Sequence, residues 1–273
     1  MAGRIAGLFV YPVKGSAGVA LDVAEVTQRG LAHDRRWMLV DRDGEAVTQR
    51  EAPRLATLRA VPVDGRLHLS LGGVGELALP IADEGEPVPA VVWGDRIAAL
   101  AVDVAADRAL SDWLGLAVRL VRFPEAAIRP CDLDHAPPGS HTGFADGFPL
   151  LVTSEGSLEA LNMALAEPVP MSRFRPNLVL AEVAAGAEDR CGSILTEGGL
   201  GLDLVKTCDR CVVTTIDQDR GAKTGKEPLA TLARLRRNPR TGGAWFGQNA
   251  VPRLARGESA RLRLGESCTL TVA

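Results

Sequence analysis

Cys208-Asp-Arg-Cys211 places two thiols three residues apart in a chain of 273 residues. The run Val212-Val-Thr-Thr-Ile216 follows directly. Such β-branched density predicts a strand, which would seat Cys211 on a stiff scaffold. Arg210 adjoins Cys211 and Lys206 lies five positions before it. Cationic neighbours favour the thiolate, the form that ligates metals and attacks electrophiles. The combination suits a soft metal. Three other readings compete with it. A structural zinc needs two further ligands, usually as a second close pair, whereas Cys131, Cys191 and Cys268 stand singly and the 4 histidines are not paired at ligand spacing. A thioredoxin-like dithiol would open a helix, and here a β run follows. Two inert buried cysteines are what composition alone favours.

The elements that must position these residues read as mostly β with a few helices, an α+β class. Arg4 to Val10 predicts a strand leaving into the loop Tyr11-Pro-Val-Lys-Gly-Ser16, and Leu21 to Val26 alternates as a half-buried strand does. Trp37 to Val40 is a compact strand before the turn Asp41-Arg-Asp-Gly44. Short strands recur at 59–63, 67–71, 75–79, 91–93 and 97–102, a pattern of antiparallel sheets or small barrels. Further strands are expected at 118–123, 148–153, 176–181, 260–264 and 267–272. Helices are predicted at 107–115, ended by Gly115, at 154–165 with a polar start, and at 226–237 with Pro228 in the first turn. Residues 126–143 lack periodicity and read as a long loop, either a domain boundary or an active-site flap. Gly242 and Gly243 suggest a mobile loop. The division expected is 1–124 and 125–273.

Composition narrows the function classes. The chain is 46% hydrophobic and 24% charged, which is ordinary for a globular protein with an adequate core. A net charge of -3 offers no basic field for nucleic acid, and 4% aromatic content argues against single-strand stacking. No apolar run is long enough to span a bilayer and the first residues lack a signal-peptide core, so a cytoplasmic protein is the expectation. Five irregularly spaced cysteines do not make a disulfide framework. Gly221-Ala-Lys-Thr-Gly-Lys-Glu227 has the wrong spacing for a phosphate loop, and Gly-x-Ser-x-Gly is absent, which weakens a hydrolase reading of Ser140-His141.

The stretch from Cys208 through Asp219, with Lys226-Glu-Pro-Leu229 and Phe246-Gly-Gln-Asn249, resembles the MOSC domain. That domain is named after the C-terminal part of molybdenum cofactor sulfurase, and the nearest resemblance is to the amidoxime-reducing molybdenum proteins and their bacterial counterparts. Tyr11-Pro-Val-Lys14, Asp34-Arg-Arg-Trp37 and the segment Val47 to Leu55 resemble the β-barrel-like domain that accompanies MOSC there. Nearly the whole chain is covered. The resemblance implies an N-terminal β-barrel-like domain over 1–124 and a MOSC domain with a β-barrel core over 125–273. Gln218 and Arg220 depart from the more usual Pro and Thr of the turn after Asp217.

The resemblance also implies a site. Cys211 matches the protein ligand of molybdenum, which reverses the ranking that composition favours; Cys208 matches a second cysteine, to which no role is assigned. The metal is carried there by a pterin through two dithiolene sulfurs, and the thiolate adds a third soft donor. Lys14, Ser16, Arg35, Arg175 and Asn177 match positions that touch this molybdenum cofactor, and Arg210 is placed with them. Thr153 and Ser154, at a predicted strand-to-helix junction, would add hydroxyl and helix N-terminal donors to the pterin phosphate. No pyridoxal phosphate site is expected.

The activity implied is two-electron reduction of N-hydroxylated compounds, hydroxylamines and amidoximes, by abstraction of the N–OH oxygen. A cofactor carrier and a metal-free dithiol protein are the alternatives. After Cys211 only Cys268 remains, so cluster ligands like those of the ferredoxin domain in some bacterial relatives are not expected here, nor is the membrane anchor of the mitochondrial relatives. A separate electron-transfer protein, ferredoxin- or cytochrome-like, and its reductase are therefore expected as partners, with no nucleic acid and no membrane. Arg236, Arg237 and Arg240 would dock that carrier.

Overall fold

The computed structural model describes residues 1–239 and 241–272. Seven strands close a barrel, and their spatial order is not their chain order. It runs Leu178–Ala181, Leu150–Ser154, Ala244–Pro252, Gly201–Arg210, Cys191–Thr196, Ser267–Val272 and Ala2–Val10, which pairs back to the first. The pairing of Leu150–Ser154 with Leu178–Ala181 is parallel. A parallel pair needs a crossover, and the helix Glu155–Asn162 lies within it. These two strands are buried along their whole length, so they read as continuous apolar runs rather than as alternation. Ile5, Leu150, Val152, Leu178, Leu180 and Ile194 lie in the barrel core.

The second core is built from residues 37–123. Pro87–Val92, Asp95–Ala101, Arg119–Arg122, Trp37–Val40 and Ala46–Val47 form a five-stranded half-barrel, and Arg59–Val63, Arg66–Ser70 and Glu76–Pro80 a meander beside it. The helix Val104–Leu114 begins where the Asp103 carboxylate accepts from Ala106 N, and ends at Gly115 with φ 68°, the left-handed position that glycine takes without a Cβ penalty. The protein is mostly β with a few helices, as its sequence predicts.

Two local expectations are corrected. The run after Cys211 is not a strand: Val212–Thr215 is a 3-10 turn. Thr214 Oγ1 donates to Cys211 O at 2.9 Å and Thr215 Oγ1 to Val212 O at 2.8 Å. These local hydroxyl bonds offer the backbone an alternative to the sheet and outweigh β propensity. The scaffold strand instead precedes the cysteine, as Gly201–Arg210. The helix expected over 226–237 shortens to Leu229–Leu235, with Pro228 at its cap. The segment 126–143, expected as a domain boundary or a flap, is anchored at both ends. Buried Arg129 donates to Asp95 at 2.7 Å and to the carbonyls of Gly143, Ala145 and Asp146, which fixes both ends of the loop.

The first strands cross between the cores. Ala2–Val10 belongs to the barrel, and Val23–Thr27 pairs with Ala260–Arg263, so Ile5, Leu8, Val10, Ala24, Val26 and Leu31 share the core of the C-terminal half, while Val13 packs in the second core. We keep a division near residue 124 as a proposal for where the chain returns to that half. There Glu125 accepts from Arg29, Arg36 and Arg122 at 3.1, 2.8 and 3.1 Å. Among the described residues no helix is long and apolar enough to cross a membrane.

Candidate functional site

The sheet geometry brings Cys208 and Cys211 to one end of the barrel, facing the other core. Gly201–Arg210 pairs with Ala244–Pro252, and the register slips between Thr207 and Asp209. A bulge at that point bends the strand and re-aims its side chains, so Cys208, Arg210 and Cys211 all reach the same cleft. The opposite wall comes from the loops around Lys14, Arg35 and Arg50 in the N-terminal half. The cleft is partly open to solvent.

Charge in the cleft is unbalanced. Lys14, Arg35, Arg50, Arg175 and Arg210 line it, against the carboxylates of Asp146 and Asp209. Lys14 is 6% exposed and donates to Phe144 O at 2.8 Å and Asp146 Oδ1 at 2.6 Å. Burial lowers its pKa, with Asp146 working against the shift. Gly15, at φ 86°, turns the chain beside it where a Cβ would meet Leu55 Cδ2 at 2.6 Å. Arg35 and Arg175 both hold left-handed backbone, φ 47° and 55°, which is uncommon outside glycine and needs support from the surroundings. The support is visible. Arg35 N donates to Tyr11 O at 2.9 Å, and Arg35 Nη1 pairs with the buried Asp34 carboxylate at 2.5 Å. Arg175 Nη1 donates to Ser16 O at 2.6 Å and to Gln218 Oε1 at 3.1 Å. Both guanidinium carbons lie over the Tyr11 ring, at 4.1 and 4.3 Å. Burial lowers the Arg175 pKa to about 10, with Tyr11 opposing, and raises that of Tyr11 to about 12.

Two residues shape this site that sequence reasoning did not single out. Arg50, and neither Arg210 nor Lys206, contacts the Cys211 sulfur: its Nη2 donates to Sγ at 3.1 Å. Lys206 is instead paired with Asp132 at 3.1 Å, and Arg210 Nη1 donates to Cys208 Sγ at 2.9 Å. Proximity along the chain misled, because the bulge and the turn separate sequence neighbours in space. The second residue is Trp93, whose ring stacks on Arg50 and whose indole N–H donates to Asp146. Arg50 lies within the Val47 to Leu55 motif, which was a signal; Trp93 lies in an unremarkable hairpin. The departure at Gln218 is also built in: it exchanges amide bonds with Gln49, 3.0 Å each way, across the two halves.

Several expected site residues are brought together and others are not. Lys14, Arg35, Arg175, Asn177, Arg210 and Cys211 line the cleft. The Asn177 amide is engaged internally, donating to Phe9 O and accepting from Leu151 N. Ser16 contributes its carbonyl to Arg175 while its side chain is buried. Thr153 is fully buried and donates to Leu178 O at 3.4 Å. Ser154 caps the helix Glu155–Asn162 by accepting from Ser157 N, and its hydroxyl donates to the buried Glu188. Ser16, Thr153 and Ser154 lie outside the cleft lining. Arg236 is paired with Asp189 and stacked near Trp245, so it is not a free docking charge; Arg237 is exposed, and Arg240 lies outside the described residues.

The two cleft thiols are partly exposed, whereas the other three are buried. Burial pushes the Cys131 and Cys268 thiols up to about 12 and about 11, and Cys191 is 5% exposed. Burial also raises Cys208, with Arg210 opposing. A thiol reagent at pH 8 is expected to modify Cys211 first and Cys208 more slowly. Cys131, Cys191 and Cys268 should react only on unfolding. Peptide mapping of a time course checks the order, and early labelling of Cys131 would contradict it.

Comparison with known proteins places this architecture. A MOSC N-terminal beta barrel domain matches residues 2–117 and a MOSC domain residues 139–268. The chain is 35% identical over 248 residues to mitochondrial amidoxime-reducing component 1 of Mus musculus, covering 86% of this chain and 72% of that protein. Identity to the Homo sapiens component 1 is 34% over 250 residues with the same coverage, and to the Bos taurus component 2 it is 31% over 244 residues. The chain belongs to the MOSC family, as a protein that couples the MOSC N-terminal barrel to the MOSC domain and counts the amidoxime-reducing components among its relatives.

Proposed function

We propose that this protein is a molybdenum-cofactor-dependent reductase of N-hydroxylated compounds, amidoximes and hydroxylamines. The observation that carries the reading is the meeting of a half-exposed thiol, Cys211, with five cationic side chains in one cleft. The residues present fit the group. Two thiols, Cys208 and Cys211, supply soft donors, and the cation excess around them suits a phosphate. Arg210 Nε is buried without a protein acceptor, and Arg175 makes both of its recorded side-chain bonds through Nη1.

When bound, the cofactor supplies the two-electron centre at which the N–OH oxygen is lost. The chain's part is to hold and orient. Cys211 is the metal ligand; Lys14, Arg35, Arg175 and Arg210 hold the pterin and its phosphate. The rigid left-handed turns at Arg35 and Arg175 keep those guanidiniums in place before the ligand arrives. Preorganised donors cost little reorganisation on binding. Asn177, Ser16 and Thr153 act behind them, fixing strand and loop positions through their backbone bonds.

The test is expression in a host that makes the cofactor, followed by molybdenum and pterin analysis and turnover of benzamidoxime with a reduced dye. About one metal per chain with amidine formation is expected. Metal without turnover would favour a carrier, and neither would favour a dithiol protein. Electron supply gives a second prediction. The chain carries no haem motif Cys-x-x-Cys-His and no Gly-x-Gly-x-x-Gly fingerprint. NADH alone is therefore expected to give no sustained turnover with the loaded protein, and a separate carrier with its reductase to restore it. Steady amidine production from NADH and pure protein would reveal a second redox site.

A further inference from the structure

We infer that Trp93, which stands outside the cleft lining but touches two of its residues, Arg50 and Asp146, is a substrate-specificity residue, a stacking surface that selects planar aromatic amidoximes over small aliphatic hydroxylamines; the inference rests on the reductase reading above. Trp93 sits at the tip of the hairpin joining Pro87–Val92 to Asp95–Ala101 and holds φ 54°. A bulky residue in that conformation is an outlier that its surroundings must maintain. Two contacts do so. The indole N–H donates to Asp146 Oδ1 at 3.0 Å, and Asp146 is itself fixed by Lys14 and by the Arg129 bond to its carbonyl. The Arg50 guanidinium lies 4.5 Å from the ring centroid.

Yet Trp93 is 53% exposed, so the fold orients a large aromatic surface without burying it. The same Arg50 reaches the Cys211 sulfur at 3.1 Å. One guanidinium therefore separates the open ring from the reactive sulfur. An aryl group resting on Trp93 would project its N–OH end towards Cys211. The Asp146 carboxylate on the same wall would meet the amidine formed. An aliphatic hydroxylamine has no ring to stack and gains nothing from this surface.

The experiment compares wild type, Trp93→Ala and Trp93→Phe, each cofactor-loaded, with a dye donor and two substrates, benzamidoxime and N-methylhydroxylamine. Trp93→Ala is expected to raise KM for benzamidoxime about tenfold, the scale of a lost aromatic pair with its buried area. Its kcat should stay within about twofold, KM for N-methylhydroxylamine should not move, and Trp93→Phe should recover most of the loss. Calorimetry of benzamidine binding to the proteins as purified should show the same rank order without turnover. If wild type reduces neither substrate, the reductase reading fails, and the benzamidine titration alone decides whether Trp93 binds aryl groups. Equal KM changes for both substrates, a fall in kcat alone, or unchanged benzamidine affinity would each overturn the inference. So would a defect that appears with a protein donor but not with the dye, which would make Trp93 a carrier-docking residue.

Discussion

Cys211→Ala is expected to give folded protein with less than about a hundredth of the wild-type affinity for molybdenum and no measurable reduction of an amidoxime. Changes one layer outside a metal's ligands typically cost roughly 10–100-fold in affinity, and loss of the thiolate proposed here as the ligand should exceed that range. Folding should survive, because Cys211 is half-exposed at the end of its strand and the following turn is held through its carbonyl, not its sulfur. Cys208→Ala serves as the matched control. Its thiol faces the same cleft but is engaged by Arg210, and that guanidinium keeps its bond to Phe174 O at 2.7 Å in the variant. Metal and activity should largely persist there. Elemental analysis of the two variants and wild type, made side by side in a cofactor-competent host, decides the matter. Wild-type metal content in Cys211→Ala would remove Cys211 from the site.

The legible parts of this molecule share one property: their structure is decided locally. Gly115 ends its helix where a left-handed residue is needed, Ser154 caps the next, and the apolar runs at 150–154 and 178–181 become buried strands. What escaped the sequence is decided by distant pairing. Cys191–Thr196, Gly201–Arg210 and Ala244–Pro252 are three of the seven barrel strands, and none has a simple period of two. The bulges between Leu204 and Lys206 and between Thr207 and Asp209 interrupt the alternation that would announce Gly201–Arg210. The closing of the barrel by Ala2–Val10 is a contact between the first residues and position 178 onward, beyond any local pattern.

The site divides in the same way. Its motifs picked out six residues that line one cleft, but they could not say which cation faces which sulfur. Arg50 contacts Cys211 across 161 positions, while the adjacent Arg210 turns to Cys208. Composition likewise gave no hint of Trp93, whose importance lies in being exposed next to Asp146 and Arg50. Ser154 shows the opposite error. A hydroxyl at a strand-to-helix junction looked available for phosphate, yet a helix needs its own first N–H groups satisfied, and the cap uses that hydroxyl.

Arg35→Ala is expected to destabilise the fold by about 3 kcal/mol, and Asp34→Asn added to it should recover most of the loss. The pair is buried, with side-chain exposures of 13% for Arg35 and 2% for Asp34, so it is not a solvated charge that can be cut away freely. Removing one partner of a buried pair leaves an uncompensated charge, typically at about 3–5 kcal/mol. The neutral hydrogen bonds left to Asp34, from Tyr11 N at 2.9 Å and from the Asn177 side chain, cannot replace a guanidinium. The neutral amide of Asn carries no charge to strand. The pH dependence has a definite sign. Burial raises the Asp34 pKa above its ordinary value in the folded state, although Arg35 opposes the shift, and loss of Arg35 removes that opposition. The folded variant then binds a proton more tightly than the unfolded chain, so its stability relative to wild type should improve as pH falls through the folded-state value. Urea midpoints at pH 7 and pH 5 measure both effects. The double variant also separates fold from function: its stability should return while its pterin content stays roughly ten- to a hundredfold down in affinity, the loss of one charge-assisted phosphate contact. If full pterin returns together with stability, Arg35 is a structural partner of Asp34 and the phosphate lies elsewhere in the cleft.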